Sequence, residues 1–247
     1  MNRIVFAVVF LTMLLFSINV FAWQSAKTYL QQLPALPENI CEASADVIME
    51  WNNSLLVLKN EMIELQEKEK EQMELAKANA PIRMDMFEPA NAEKIQQLGE
   101  KISVVEDDIN KVLTEITLLL IEKGGDVDVK YLAILDPLYQ QKKDTQSQGK
   151  STALIDKEIR EAQRNKCMEM SAVRKNYLKN YSERLEGLIE LGIKGNQLSD
   201  EMLRMMYADY TVRRQYGFWL DILIGYVGEL LYVYNDIPVY ETEQYNR

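Results

Sequence analysis

Apolar residues recur along the middle of the chain with a helical rhythm. From Ala92 to Lys123 they fall at Ile95, Leu98, Ile102, Val105, Ile109, Val112, Ile116 and Leu119, in alternating steps of three and four. That spacing is the a/d seam of a heptad repeat, with β-branched residues at every a position. An earlier ladder keeps the same rhythm through Ile48, Trp51, Leu55, Leu58, Met62 and Leu65, then passes to Glu69, Gln72 and Ala76. Between the two lies a stretch from Asn79 to Asn91 holding Pro81 and Pro89, which no helix continues through unaltered. The pattern predicts an all-α fold, an elongated helical bundle with a long antiparallel coiled-coil hairpin over 38–123 and a tip over 79–91. Folding the chain near residue 85 sets Trp51 opposite Leu119, Leu55 opposite Ile116, Leu58 opposite Val112, Met62 opposite Ile109 and Leu65 opposite Val105. Glu69 and Gln72 put polar groups in the seam, so the end nearest the tip is expected to pack loosely.

The remaining segments follow from breakers and caps. Residues 23–37 read as an amphipathic strap ended by Pro34 and Pro37. Gly124-Gly125 is expected to stop the second hairpin helix. Asp136 and Pro137 are expected to cap and begin another short helix within 124–150. A third long helix is expected from Ser151 to about Lys194, ended by Gly192 and Gly195, and a last one from Ser199-Asp200-Glu201, so that 151–236 forms the base of the bundle and 237–247 a tail. Tyr216 to Tyr234 imitates a membrane span in length, but Asp221 and Glu229 offset the insertion energy of its aliphatic residues. A helix apolar on most of its circumference then reads as buried in the bundle. An oligomer interface and conditional membrane insertion are its other readings.

The N-terminus changes the compartment. Arg3 precedes an apolar run, Ile4 to Phe16, and Val20 and Ala22 stand at small-residue cleavage positions. This reads as a signal peptide over 1–22, cleaved between Ala22 and Trp23, and places the mature chain in the periplasm or outside the cell. Exported chains meet oxidising conditions, so Cys41 and Cys167, the only cysteines, are expected to form one disulfide. It would close a loop of more than a hundred residues, worth about 2–4 kcal/mol.

Composition narrows the chemistry. With 38 acidic and 28 basic residues the formal net charge is −10, a field that disfavours phosphate backbones, and no nucleic-acid partner is expected. Histidine is absent, which removes Ser-His-Asp and Cys-His nucleophiles and nearly every zinc site. Phosphate loops, CxxC pairs and nucleophile elbows are missing too, so no cofactor and no metal is expected and no catalytic residue is assigned. A carboxylate-dependent hydrolase, with Asp221 and Glu229 as its acids, is a distant alternative. The hydrophobic tip residues Ile82, Met84, Met86 and Phe87 suit an adaptable protein contact. The expected function is therefore that of an exported interaction or scaffold protein with protein partners, self-association left open and membrane contact not favoured. In outline its arm resembles the tentacles of periplasmic holdase chaperones. Those use basic surfaces and share no motif with this acidic chain, and a subunit of an envelope assembly fits the same features. A membrane-active protein inserting 216–234 is the alternative.

Overall fold

Long stretches of good helix formers with one apolar stripe bury that stripe against neighbouring helices, and the chain does so in an all-α bundle. The computed structural model describes residues 22–35, 43–212 and 214–235. Residues 1–21 of the expected signal peptide, Cys41 and the expected tail over 237–247 lie outside the described residues. A first helix, α1, covers 22–32. α2 spans Ala45–Asn79, a 3-10 turn spans Met84–Phe87, and α3 spans Pro89–Ser147. α4 spans Ala153–Met206 and α5 spans Gly217–Asn235. Among the described residues there is no strand, only an isolated antiparallel bridge between Ile82 and Tyr207.

The chain divides into two compact units. The first gathers α1, residues 53–112 of α2 and α3, and residues 184–229 of α4 and α5. Its hairpin buries Leu55, Leu58 and Met62 from α2 and Leu98, Val105 and Ile109 from α3. Leu65, Ile102 and Val112 are half-buried. α1 contributes Ala22 and Ala26, and α5 contributes Trp219, Leu220, Leu223 and Val227.

The second unit gathers 113–183 with the described parts of 36–52 and 230–247. Here Trp51 and Ile116 are buried, but Leu119 is 38 % exposed and has left the seam. The reason is that α3 does not end at Gly124-Gly125. It runs on for 59 residues through both glycines and Pro137. A straight helix drifts about 20° per heptad, so keeping one face inward over this length replaces Leu119 with Leu120, Gly124, Val127 and Tyr131. Packing overrides the local penalties of glycine and proline. Gly124 lies 3.7 Å, measured from a Cβ built on it, from the Met170 sulfur of α4, and Tyr131 donates its hydroxyl to Glu169 at 2.8 Å. The expected short helices of 124–150 are therefore the continuation of α3, with a turn at Gln148–Ser151 that uses Gly149 at φ 67°.

α4 overturns a second expectation. Neither Gly192 nor Gly195 ends it, and Ser199-Asp200-Glu201 lies in its interior rather than starting a new helix. A Cβ on Gly192 would come within 2.7 Å of the Trp219 backbone, and one on Gly195 within 3.0 Å of the Phe218 ring. Both glycines are the floor on which the start of α5 sits. Among the described residues no helix is long and apolar enough to cross a membrane.

Candidate interaction site at the hairpin turn and the polar cluster that seats α5

The turn between α2 and α3 is tied to the C-terminal end of α4, all within the first unit. The Arg83 amide donates to the Met206 carbonyl at 2.9 Å, and the Ala208 amide donates to the Pro81 carbonyl at 2.8 Å. Arg83 also clamps Asp85 through two hydrogen bonds, Nε to Oδ1 at 3.0 Å and Nη2 to Oδ2 at 2.6 Å. Asn91 donates to the Asp85 carbonyl at 2.9 Å. The Asp85 carboxyl is held below its usual range, chiefly by its hydrogen bond from Arg83, and the guanidinium is correspondingly raised. Close by, Met73, Leu203 and Tyr210 form a small core with Ala76, Tyr207 and Val212.

On this fixed turn Ile82 is 57 %, Met84 79 % and Phe87 66 % exposed. Met86 is half-buried and belongs partly to the packing. Three of the four expected contact residues thus face solvent from a backbone that is pinned at both sides. The arm is not a bare protrusion, because its end carries the last residues of α4.

Further along α2 lies a cluster that the sequence did not announce. Glu69, expected to loosen the seam, is buried and accepts three backbone amides from the entry to α5. Gln215 and Tyr216 donate to Oε1, the latter at 2.8 Å, and Gly217 donates to Oε2 at 2.8 Å. Asn196 of α4 accepts the Phe218 amide at 2.9 Å and donates to the Tyr216 carbonyl at 3.0 Å. Asp200 accepts the Arg214 amide at 3.0 and 3.2 Å. The start of a helix exposes four amides without intrahelical partners, and here side chains from two other helices satisfy those that water does not reach. Gly217 is required in this arrangement: its φ is +40°, and a side chain would overlap Asn196 Oδ1 and the Arg214 stem.

Burial pushes the Asp200 carboxyl up, and nearby Glu69 adds to this, while the Arg214 amide and the Arg204 and Arg214 guanidinium groups pull the other way without cancelling it. Burial also raises Tyr210, whose hydroxyl has no hydrogen-bond partner among the described residues. Beside the cluster, a groove of about 480 Å³ is lined by both signs of charge, including Lys70, Lys77, Arg214, Glu67, Glu74 and Asp221. Asp221 accepts a hydrogen bond from Gln66, and Arg214 lies 5.2 Å over the Phe218 ring. The Gln66–Asp221 bond and the Arg214–Phe218 contact help to hold α5, and Lys77 pairs with Glu74 within α2. Among the described residues no three candidate ligands gather as a metal site.

The other expected site residues fall as follows. Ala22 is buried and Trp23 half-buried in α1, with the Lys27 ammonium 5.5 Å from the Trp23 ring. Cys167 is buried on α4. The chain matches no protein-family model, no curated protein and no solved structure.

Proposed function

We propose that this chain is an exported helical interaction protein that engages a protein partner through the apolar face of its hairpin turn, formed by Ile82, Met84 and Phe87. The observation that carries the reading is the combination of strong exposure with a pinned backbone. A side chain left apolar on an already ordered turn loses little conformational entropy on binding, so more of the burial energy becomes affinity. Methionine beside an aromatic residue adapts to an apolar partner groove.

Export and the Cys41–Cys167 bridge belong to the same proposal. They rest on the Arg3 to Ala22 pattern and on the pair of cysteines in the sequence. That no free cysteine occurs among the described residues agrees with the bridge.

The deciding experiment places a photo-cross-linking residue at Met84 in cells. A discrete adduct that disappears when Ile82→Ser and Phe87→Ser are added to that chain, with helical circular dichroism unchanged, supports the reading. Equal adducts from Met84 and from the polar, exposed Lys101 would remove it. The N-terminus of the mature chain, read by mass spectrometry, is expected at Trp23.

A further inference from the structure

The middle of α3 carries two apolar faces. One holds Ile116, Leu120, Gly124, Val127 and Tyr131 and is turned into the second unit. On roughly the opposite side, at ~100° per residue, Leu118, Ile121, Gly125, Val129 and Leu132 form a stripe that stays in solvent. Its four large side chains are 48, 62, 70 and 59 % exposed, and a Cβ built on Gly125 would meet nothing within 4 Å. A solvent-facing helix surface normally carries polar residues at these positions.

The spacing of the stripe is a palindrome. Leu118 and Leu132 stand seven residues either side of Gly125, and Ile121 and Val129 stand four either side. In an isologous contact residue i meets j while j meets i, so a palindromic spacing sets apolar against apolar along the stripe. A second copy laid antiparallel across Gly125 sets each Leu118 against Leu132 of the other copy and each Ile121 against Val129. The glycine at the crossing allows close approach of the two backbones.

We propose that α3 is a self-association surface, and that two copies of this chain pair antiparallel about Gly125 through Leu118, Ile121, Val129 and Leu132. These side chains offer on the order of 400 Å² per copy. Thr114, Glu122 and Tyr139 at the margins carry it toward the ~800 Å² per partner of a specific interface. An interface short of that standard size is expected to be reversible rather than permanent. Glu122 and its counterpart lie on the same flank about 9 Å apart along the axis, within a Debye length at low salt. That one repulsion is screened as salt is raised, so the test is made at high salt. The surface is separate from the hairpin turn, so either proposal can fail alone.

The full chain tests it in Leu118→Cys and Leu132→Cys forms under mild oxidation. Covalent dimers are expected when the two variants are mixed and not from either alone, because Leu118 in one copy lies ~21 Å along the axis from Leu118 in the other. Leu132→Glu is exposed and leaves the fold intact by circular dichroism. It is expected to weaken the dimer at least tenfold in sedimentation equilibrium. The proposal is overturned by a wild-type chain monomeric at 100 µM and high salt, or by Leu118→Cys cross-linking to itself. It is also overturned by a chain that stays monomeric but floats with phosphatidylcholine–phosphatidylglycerol vesicles through this stripe.

Discussion

The two units hold their helices together by different means. In the first, the buried polar and charged residues are Glu69, Asn196, Ser199 and Asp200, whereas the second unit buries its polar groups mainly as tyrosine hydroxyls. In the second, α3 and α4 are joined by ion pairs at the surface, Lys130 to Glu169 at 2.5 Å, Lys166 to Asp128 at 2.7 Å and Lys142 to Asp156 at 2.8 Å. The difference follows from where helices begin. The start of α5 lies inside the first unit, so its unpaired amides must be satisfied by protein. In the second unit the end of α3 and the starts of α2 and α4 are exposed, so water reaches their unpaired groups, and the packed helix faces carry charge only at the rim.

The sharpest break is therefore Glu69→Ala. It leaves three amides, one of them on buried Gly217, without their acceptor. Each unsatisfied buried group costs about 1–3 kcal/mol, so a loss of roughly 3 kcal/mol or more in urea unfolding is expected, with faster amide exchange over 217–223. Glu69→Gln keeps one acceptor oxygen but sets an amide NH2 against the remaining donor, so its loss should fall between the parent and Glu69→Ala. Little or no loss from Glu69→Ala would mean that the carboxylate does not seat α5.

Glycines sharpen the contrast with a smaller effect. Gly192→Ala drives a methyl group into the Trp219 backbone, which has no side-chain freedom to yield, and should cost about 1–3 kcal/mol. Gly124→Ala in the second unit meets only the flexible end of Met170 at an ordinary contact distance. It should be neutral or gain up to about 1 kcal/mol through helix propensity. The urea midpoint should fall for Gly192→Ala and hold or rise for Gly124→Ala.

These same residues mark how far the sequence could be read. The seam is legible because heptad spacing is local: Leu55, Leu58, Met62, Leu98, Val105 and Ile109 are all buried. Gly124-Gly125, Pro137, Gly192 and Gly195 were legible as exceptions but not as to kind, since a glycine that ends a helix and one that receives a neighbour look identical in one dimension. Glu69 was the least legible. Its donors lie 146 to 148 residues away, so nothing near it distinguishes a cap for another helix from a flaw in a coiled coil. A buried-seam carboxylate with no basic residue at the facing heptad position was the one available signal. The exposed turn was legible as apolar, whereas its attachment to Met206 and Ala208 depended on α4 running further than its glycines implied.

Acidity separates the two units without a large perturbation. Ordinary aspartate titrates near ~3.9; burial raises Asp200 above that, with Glu69 of α2, Arg204 of α4, and Arg214 and Tyr210 of the following loop as its charged and titratable surroundings. Between the ordinary and the raised value the folded chain binds a proton that the unfolded chain does not. Asp200 therefore favours folding more as pH falls through that window and less as pH rises through it. Asp200→Asn keeps an oxygen for the Arg214 amide. It should raise the urea midpoint at pH 7 and lose that advantage by about pH 4. A midpoint difference that is the same at both pH values would show that Asp200 does not titrate with folding.

The smallest effect is expected where the second unit looks most strongly tied. Glu169 is held below its usual range by hydrogen bonds from Lys130 and then Tyr131. Its contribution is present above the ordinary glutamate value and fades as pH falls through the lowered one, the reverse of Asp200. Both partners of the Lys130–Glu169 pair are well exposed, so water and salt already screen it. Lys130→Ala also leaves Glu169 its bond from Tyr131 at 2.8 Å. The urea midpoint of that variant should match the parent within measurement scatter at 0.5 M salt and differ only slightly at low salt. A loss as large as that of Gly192→Ala would place the second unit's stability in its rim charges and erase the distinction between the units. Agreement with the parent would leave the buried faces of Val127, Tyr131, Ile155 and Ile159 as what holds that unit together.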